Sequence, residues 1–207
     1  YYVAVVGWTI SYLFLAFTQG WGTDPANFFF KTYLQLSDTP FAFNGIRWPI
    51  LGAILCAWFF CWVVLFSGVK KGIELAGKIF MPLLFIMVLV ITVRAVTLEG
   101  AKEGLNWMFE PDFSALLNFK VWVAAYGQLF FSLSIGFAIM LTYASYLPGD
   151  SDAANNGFIT AFCNCGFSII CGIMVFSVLG NMACRQGVGV DKVVSSGVGL
   201  AFVTIPK

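Results

Sequence analysis

Apolar residues in this chain run in long unbroken blocks rather than in stripes. The blocks cover residues 1–23, 48–69, 78–98, 121–147 and 154–184. A helix crosses a bilayer with about 17–25 mostly apolar residues, so the pattern predicts five transmembrane α-helices and an all-α, polytopic membrane protein. Apart from Lys78 at the start of the third block, the charge inside them is Arg94, near that block's other end, where its head can reach water.

The segments between the blocks are polar. Residues 24–47 carry Gly, Pro, Asp and Asn punctuation that marks turns, with no cysteine and no Asn-x-Ser/Thr acceptor, which argues against a disulfide-bonded, glycosylated ectodomain. VKKGIELAGK reads as a short loop with three lysines. Short lysine-bearing loops favour the cytoplasm, although charge alone does not orient the chain. In the longer TLEGAKEGLNWMFEPDFSALLNFK, Asp112 is placed to cap a short helix over Phe113, Leu116 and Leu117. LPGDSDAANN is short and acidic, and residues 185–207 form a Gly-rich tail. The chain opens inside an apolar run, without an initiator Met or a signal-peptide pattern, so it reads as one membrane domain truncated at both ends.

Composition narrows the function classes. The chain is 60% hydrophobic and only 10% charged, where soluble domains carry about 25% charged residues. A net charge of +1 points to the lipid bilayer as a partner and not to nucleic acid, and nothing indicates an oligomeric state. The six cysteines lie within the apolar blocks, no C-x-x-C occurs and histidine is absent, so they read as packing residues, with no metal site of the Cys/His kind. An intramembrane enzyme would need a nucleophile with a base, and the spans hold no histidine and no carboxylate. The expectation is a protein that is not an enzyme.

Polar side chains at membrane depth are the candidate chemistry. Gln128 and Ser132 are i, i+4 in the fourth block, as are Asn164 and Ser168 in the fifth. At about 1.5 Å per residue, Ser132 lies roughly 16 Å beyond Val121 and Asn164 roughly 15 Å beyond Ala154, near the middle of a core about 30 Å thick. Serine and asparagine there often just join helices. Four neutral hydroxyls and amides at one depth also suit a small dehydrated ion.

Ser132 and Ser134 are about 200° apart on a helix, so an intact helix could not aim both at one ligand. A break at S-L-S-I-G, with Gly136, could, and its freed backbone groups would then line a cavity. Gly136 by itself is more often a close-packing residue, as Gly166 and Gly172 can be. Phe130, Phe131 and Phe137 bracket the joint as packing or as pocket walls. Tyr1 and Tyr2 read as interfacial anchors, or as buried hydroxyls in need of a partner such as a substrate.

These residues resemble the neurotransmitter:sodium symporter family, with its leucine-transporter fold and broken helices at the midplane. The resemblance rests on YY…W in the first block, KKGIELAGKIFMP, PDFSALLNFKVWVAAYGQLFFSLSIGF, TYASY, FCNCGFS, FSVLGNMA and GVGLAFVTIPK. It implies that the chain spans transmembrane helices 3 to 7 and part of extracellular loop 4 of a twelve-helix inverted-repeat transporter, multi-pass in a plasma or bacterial inner membrane. Tyr2, Phe131, Ser132, Ser134 and Phe137 then match substrate-pocket positions, Phe131 as the lid. Ser132 and Asn164 match sodium ligands, and sodium is the only metal implied. Gln128, Ser132, Asn164 and Ser168 match the chloride ring of chloride-dependent members. Gly72 and Pro82 match a spacing where helix 5 unwinds, although a helix-starting Pro after a loop Gly fits the same residues. With Gly136 and Tyr146, they are the conformational positions.

The resemblance therefore implies Na+-coupled, Cl−-assisted symport of a small neutral amino acid by alternating access. A non-transporting amino-acid receptor that keeps the pocket is the alternative.

Overall fold

The computed structural model describes residues 2–22, 24–37, 45–66, 68–194 and 199–205, with the side chains of Val69 and Lys70 excepted. Tyr1, read with Tyr2 as an interfacial anchor or a buried hydroxyl, lies outside the described residues. Nine α-helices are formed among those described, with no strand. They are α1 (Tyr2–Ala16), α2 (Pro25–Asn27), α3 (Trp48–Phe66), α4 (Val69–Val96), α5 (Ala101–Phe109), α6 (Phe119–Ser132), α7 (Ile139–Ala144), α8 (Ala153–Gln186) and α9 (Val190–Val193). Three segments are apolar and long enough to cross a bilayer, Trp48–Phe66, Lys71–Val96 and Ala153–Gln186, and α1 is a shorter apolar helix.

Two boundaries depart from the expected spans. The first block stops being helical at Ala16 rather than at residue 23. Its carbonyls there accept tighter bonds, Phe17 N–H to Phe14 and Thr18 N–H to Leu15, and Gln19 takes a left-handed φ of 48°. The VKKGIELAGK segment is not a loop, because α4 begins at Val69. Its polar residues are good helix formers, and Lys78 and Glu74 pair across one turn at 2.6 Å. Gly72 and Pro82 consequently both lie within one continuous helix, so Pro82 does not start it. The fourth block is broken where S-L-S-I-G suggested a break, into α6 and α7, separated by residues 133–138.

The chain divides into two compact units. In the unit of residues 1–80 and 193–207, α1 crosses α3 where Gly7 faces Ala53 and Ile54. Beyond α1, Asp24 caps α2 by accepting from the Asn27 N–H at 3.1 Å. The chain then continues as a π-helical turn, Phe28–Tyr33, which buries Phe29 completely against Tyr12 and Phe202.

The unit of residues 81–192 is organised by α5 lying on the C-terminal half of α8. α8 runs for 34 residues, about 51 Å at 1.5 Å per residue, well beyond the thickness of a bilayer core. Its buried residues, Ser177 and Leu179–Ala183, are all in that half. The crossing is made by glycines: a Cβ at Gly104 would fall on the Phe176 carbonyl, and one at Gly100 would sit 2.8 Å from the Gly180 carbonyl oxygen. Asn181, on the same face, donates to the Glu99 carbonyl at 2.7 Å. Gly172 is also a packing glycine, against Met108, whereas nothing approaches Gly166 or Gly136.

Asp112 caps the 3₁₀ turn Phe113–Leu117, accepting from the backbone N–H groups of Ser114 and Ala115. The Ser114 hydroxyl, and then the Ala115 N–H, hold its carboxyl below its ordinary range. A depressed carboxyl supports the folded turn above the unfolded-state pKa and loses that support as pH falls through the folded value. Protection of the Ser114 and Ala115 amides, taken relative to their intrinsic exchange rates, is therefore expected to fall on acidification below the usual Asp range. Asp112→Asn should abolish that pH dependence.

Candidate functional site

The break between α6 and α7 centres the candidate site. α6 is started by Asn118, whose side chain accepts from the Lys120 N–H at 3.1 Å, and it is tied down by Trp122, whose indole N–H donates to the Leu116 carbonyl at 2.8 Å. It ends at Ser132 in a Schellman motif. The Ile135 N–H reaches back to the Phe130 carbonyl at 2.9 Å and the Ser134 N–H to the Phe131 carbonyl at 3.2 Å. Such a motif needs a left-handed residue, and here it is Ser134 at φ 54°. The C-terminus of α8 uses the same two bonds, from Val188 to Ala183 and from Gly187 to Cys184, with glycine in that position.

Two more left-handed residues follow, Gly136 at φ 84° and Ala138 at φ 59°. Gly136 therefore takes a left-handed conformation that favours glycine. Three alternate left-handed residues prevent the chain from resuming a helix until Ile139. Among the described residues, no backbone hydrogen bond runs from the N–H groups of Gly136, Phe137 and Ala138 or to the carbonyls of Ser132 and Leu133.

Ala138 was not singled out from the sequence, and a lone alanine carries no signal for a left-handed φ. A left-handed Cβ costs roughly 1–2 kcal/mol, so Ala138→Gly should stabilise the break by about 1 kcal/mol. A higher thermal midpoint for the solubilised protein is the expected reading, and an unchanged or lower one would contradict the strain.

Across the break, the Asn164 Nδ2 amide donates to Ser132 Oγ at 2.7 Å, joining α8 to the end of α6. Both residues are half-buried. Ser168, one turn on from Asn164, donates its hydroxyl to the Asn164 backbone carbonyl at 2.9 Å. Gln128, one turn before Ser132 on α6, is exposed. Of the four polar residues expected at one depth, the structure thus bonds two side chains across helices, while Ser168 satisfies itself on its own helix.

Phe131 and Phe137 are exposed on either side of the break, and Ser134 is half-buried within it. Tyr146, just after α7, is bonded through its N–H to the Tyr143 carbonyl at 3.1 Å. Tyr2, the first described residue of α1, belongs to the other unit. Gly72 is buried in α4, ten residues before Pro82.

Chemically, this arrangement suits a hard monovalent cation. The Asn164–Ser132 bond leaves Asn164 Oδ1 uncommitted among the described residues, and Ser132 Oγ keeps a lone pair. The open carbonyls of Ser132 and Leu133 add oxygens at the negative end of α6. No group of three or more His, Cys, Asp or Glu side chains that could hold a metal is found among the described residues. The donor set is neutral oxygen, as suits an ion that must also leave.

The sequence pattern of the sodium:neurotransmitter symporter family matches residues 21–207. The chain is 43% identical over its whole length to a sodium-dependent transporter of Methanocaldococcus jannaschii, covering 42% of that protein. It is 31% identical to the sodium-dependent serotonin transporter of Drosophila melanogaster and 29% identical to the sodium- and chloride-dependent GABA transporter 2 of Homo sapiens. Those alignments include all of this chain and 38% and 39% of the two relatives, so the chain spans about two fifths of the length of the proteins it matches. The chain belongs to the sodium:neurotransmitter symporter family and is a multi-pass membrane protein.

Proposed function

We propose that the chain is the helix 3 to helix 7 portion of a sodium-coupled symporter that carries a small neutral amino acid by alternating access. The observation that carries this reading is the broken fourth span with Asn164 bonded to Ser132 across it. Sodium is held by Ser132 Oγ and Asn164 Oδ1, and the solute lies against Phe131, Ser132, Ser134 and Phe137; Tyr2, in the other unit, is a solute position by the family resemblance alone. Sodium and solute each favour the conformation that holds both, and a shared preference of that kind lets one gradient drive the other solute. The residues bind and release, and no covalent bond changes. Gly72, Pro82, Gly136 and Tyr146 serve the change of shape.

Chloride is the second ion in this reading, held by Gln128, Ser132, Asn164 and Ser168. Its support is the uncharged donor set: a sodium site with no carboxylate among these residues gains from a mobile anion. Two relatives, the GABA transporter and a creatine transporter of Bos taurus, are named as chloride-dependent.

The test is uptake into proteoliposomes holding the whole carrier, with L-alanine and L-leucine as probes and an inward sodium gradient. Sodium-driven accumulation is expected, with replacement of chloride by gluconate lowering it severalfold. Ser168→Glu should remove the chloride requirement by supplying a fixed negative charge. Binding of the probes without accumulation would overturn symport in favour of a receptor.

A further inference from the structure

We infer that Ala138 is a positioning residue for the cation, its left-handed backbone keeping sodium affinity low enough for release. The proposal rests on the reading that Ser132 and Asn164 hold sodium, and all its residues lie in the unit of residues 81–192.

The three left-handed residues of the break are not alike. Ser134, at φ 54°, fills the position that the Schellman motif requires, and the two hydrogen bonds of that motif close around it. Gly136, at φ 84°, has no Cβ to strain. Ala138, at φ 59°, has neither compensation. It is the N-cap of α7, a position that ordinarily takes extended backbone and a capping side chain, and alanine makes no cap bond there. Its side chain is exposed, so packing gives little in return. The Thr142 N–H and hydroxyl fasten its carbonyl at 3.0 and 2.9 Å, bonds that an unstrained residue would accept equally well. An uncompensated outlier of this kind is characteristic of ligand sites.

The open backbone beside it supplies the link to the ion. Among the described residues, the carbonyls of Ser132 and Leu133 accept no backbone hydrogen bond and the N–H groups of Gly136, Phe137 and Ala138 donate none. Unmet backbone groups are unfavourable at membrane depth, so the broken form is stabilised by what it binds. A cation drawn to the two carbonyls, to Ser132 Oγ and to Asn164 Oδ1 favours the broken chain, while the strain at Ala138 opposes it. The ion-free form is released from that strain, and apparent affinity is the balance of the two. Glycine at this position would remove the opposing contribution. The ion would then be held too firmly, and an ion that is carried must also leave.

The experiment compares Ala138→Gly, Gly136→Ala and the double variant with the parent in the whole carrier. Gly136→Ala adds the same kind of strain two residues earlier, and its Cβ meets nothing within 4 Å among the described residues, so it acts through the backbone. Sodium alone is the probe: the thermal midpoint is titrated with sodium chloride against choline chloride, and maximal sodium-driven L-alanine uptake is measured beside it. Ala138→Gly should lower the sodium half-saturation about fivefold, Gly136→Ala should raise it about fivefold, and the double variant should return close to the parent. The gain in midpoint from Ala138→Gly should be larger in sodium than in choline, and maximal uptake should fall about twofold or more as release slows. If Gly136→Ala does not fold, Ala138→Gly decides alone. An unchanged half-saturation in Ala138→Gly overturns the proposal, as do equal gains in the two salts, which would make the strain purely structural. Tighter sodium with unchanged maximal uptake overturns the role in release. A parent whose midpoint ignores sodium sinks the sodium reading itself, and that result is visible before any variant is made.

Discussion

Asn164→Ala is expected to weaken sodium-dependent binding by about ten- to a hundredfold. The substitution removes both partners that the amide offers at the break, the Nδ2 hydrogen bond to Ser132 and the Oδ1 acceptor. A hydrogen bond or dipole directed at a charged group contributes about 1.5–3 kcal/mol, and that interval sets the fold-change. Ser132 Oγ also loses the neighbour that fixes it, and positioning matters as much as identity for an ion held by neutral oxygens. Ser132→Ala should cost a comparable amount, whereas Ser132→Thr, which keeps the hydroxyl, should cost little. The measurement is equilibrium binding of a neutral amino acid against sodium concentration, with choline replacing sodium. Unaltered sodium dependence in Asn164→Ala would remove this pair from the ion site. Coupling of the two side chains can be read separately. Because they share one hydrogen bond, the double variant should cost less than the two single effects added together.

The other large effect is expected at the glycine crossing of α5 and α8, where Gly104→Ala should destabilise the protein by about 3 kcal/mol or more. A methyl at Gly104 would overlap the Phe176 carbonyl and lie 2.9 Å from the Gly180 nitrogen. Both obstacles are backbone atoms of α8, which cannot swing aside as a side chain does. α5 would have to lift, losing the Asn181 bond to the Glu99 carbonyl and the 5.5 Å stack of Trp107 on Phe176. Asn181→Ala removes only the bond and should cost less, about 1–2 kcal/mol, by leaving a carbonyl unpaired. The thermal midpoint of the solubilised carrier checks both, and a Gly104→Ala protein that melts with the parent would refute the crossing. The Gly100 and Gly104 spacing, with Gly180 on the facing helix, is the small-residue pattern of close helix contacts. These glycines were not singled out from the sequence, and only the packing shows that the two sets meet.

The site was legible to a similar depth. Uncharged blocks of bilayer length, polar residues at i, i+4 and the S-L-S-I-G stretch pointed to a broken helix with neutral donors facing the next span. The break is there, and so is the Ser132–Asn164 contact. Ser168 was read as a member of the same polar group, yet its hydroxyl bonds the carbonyl four residues back, an outlet open to any helical serine. Ala138 was illegible because its left-handed φ is imposed by the chain on either side and not by its own side chain.

What the sequence determined by itself is what depends on local chemistry and on solvent. Apolar blocks specify helices in lipid because the backbone must bond internally there, and Asp112 specifies a cap because its carboxylate lies within reach of N–H groups two and three residues on. What only the tertiary structure decided is what depends on distant neighbours. α8 extends for 34 residues with α5 covering its far half, and Phe202 is buried because Phe29, more than 170 residues earlier, stacks on it. Periodicity fixes which face of an element is apolar. It carries no information about which other element will cover that face, since burial is non-directional and any complementary surface satisfies it.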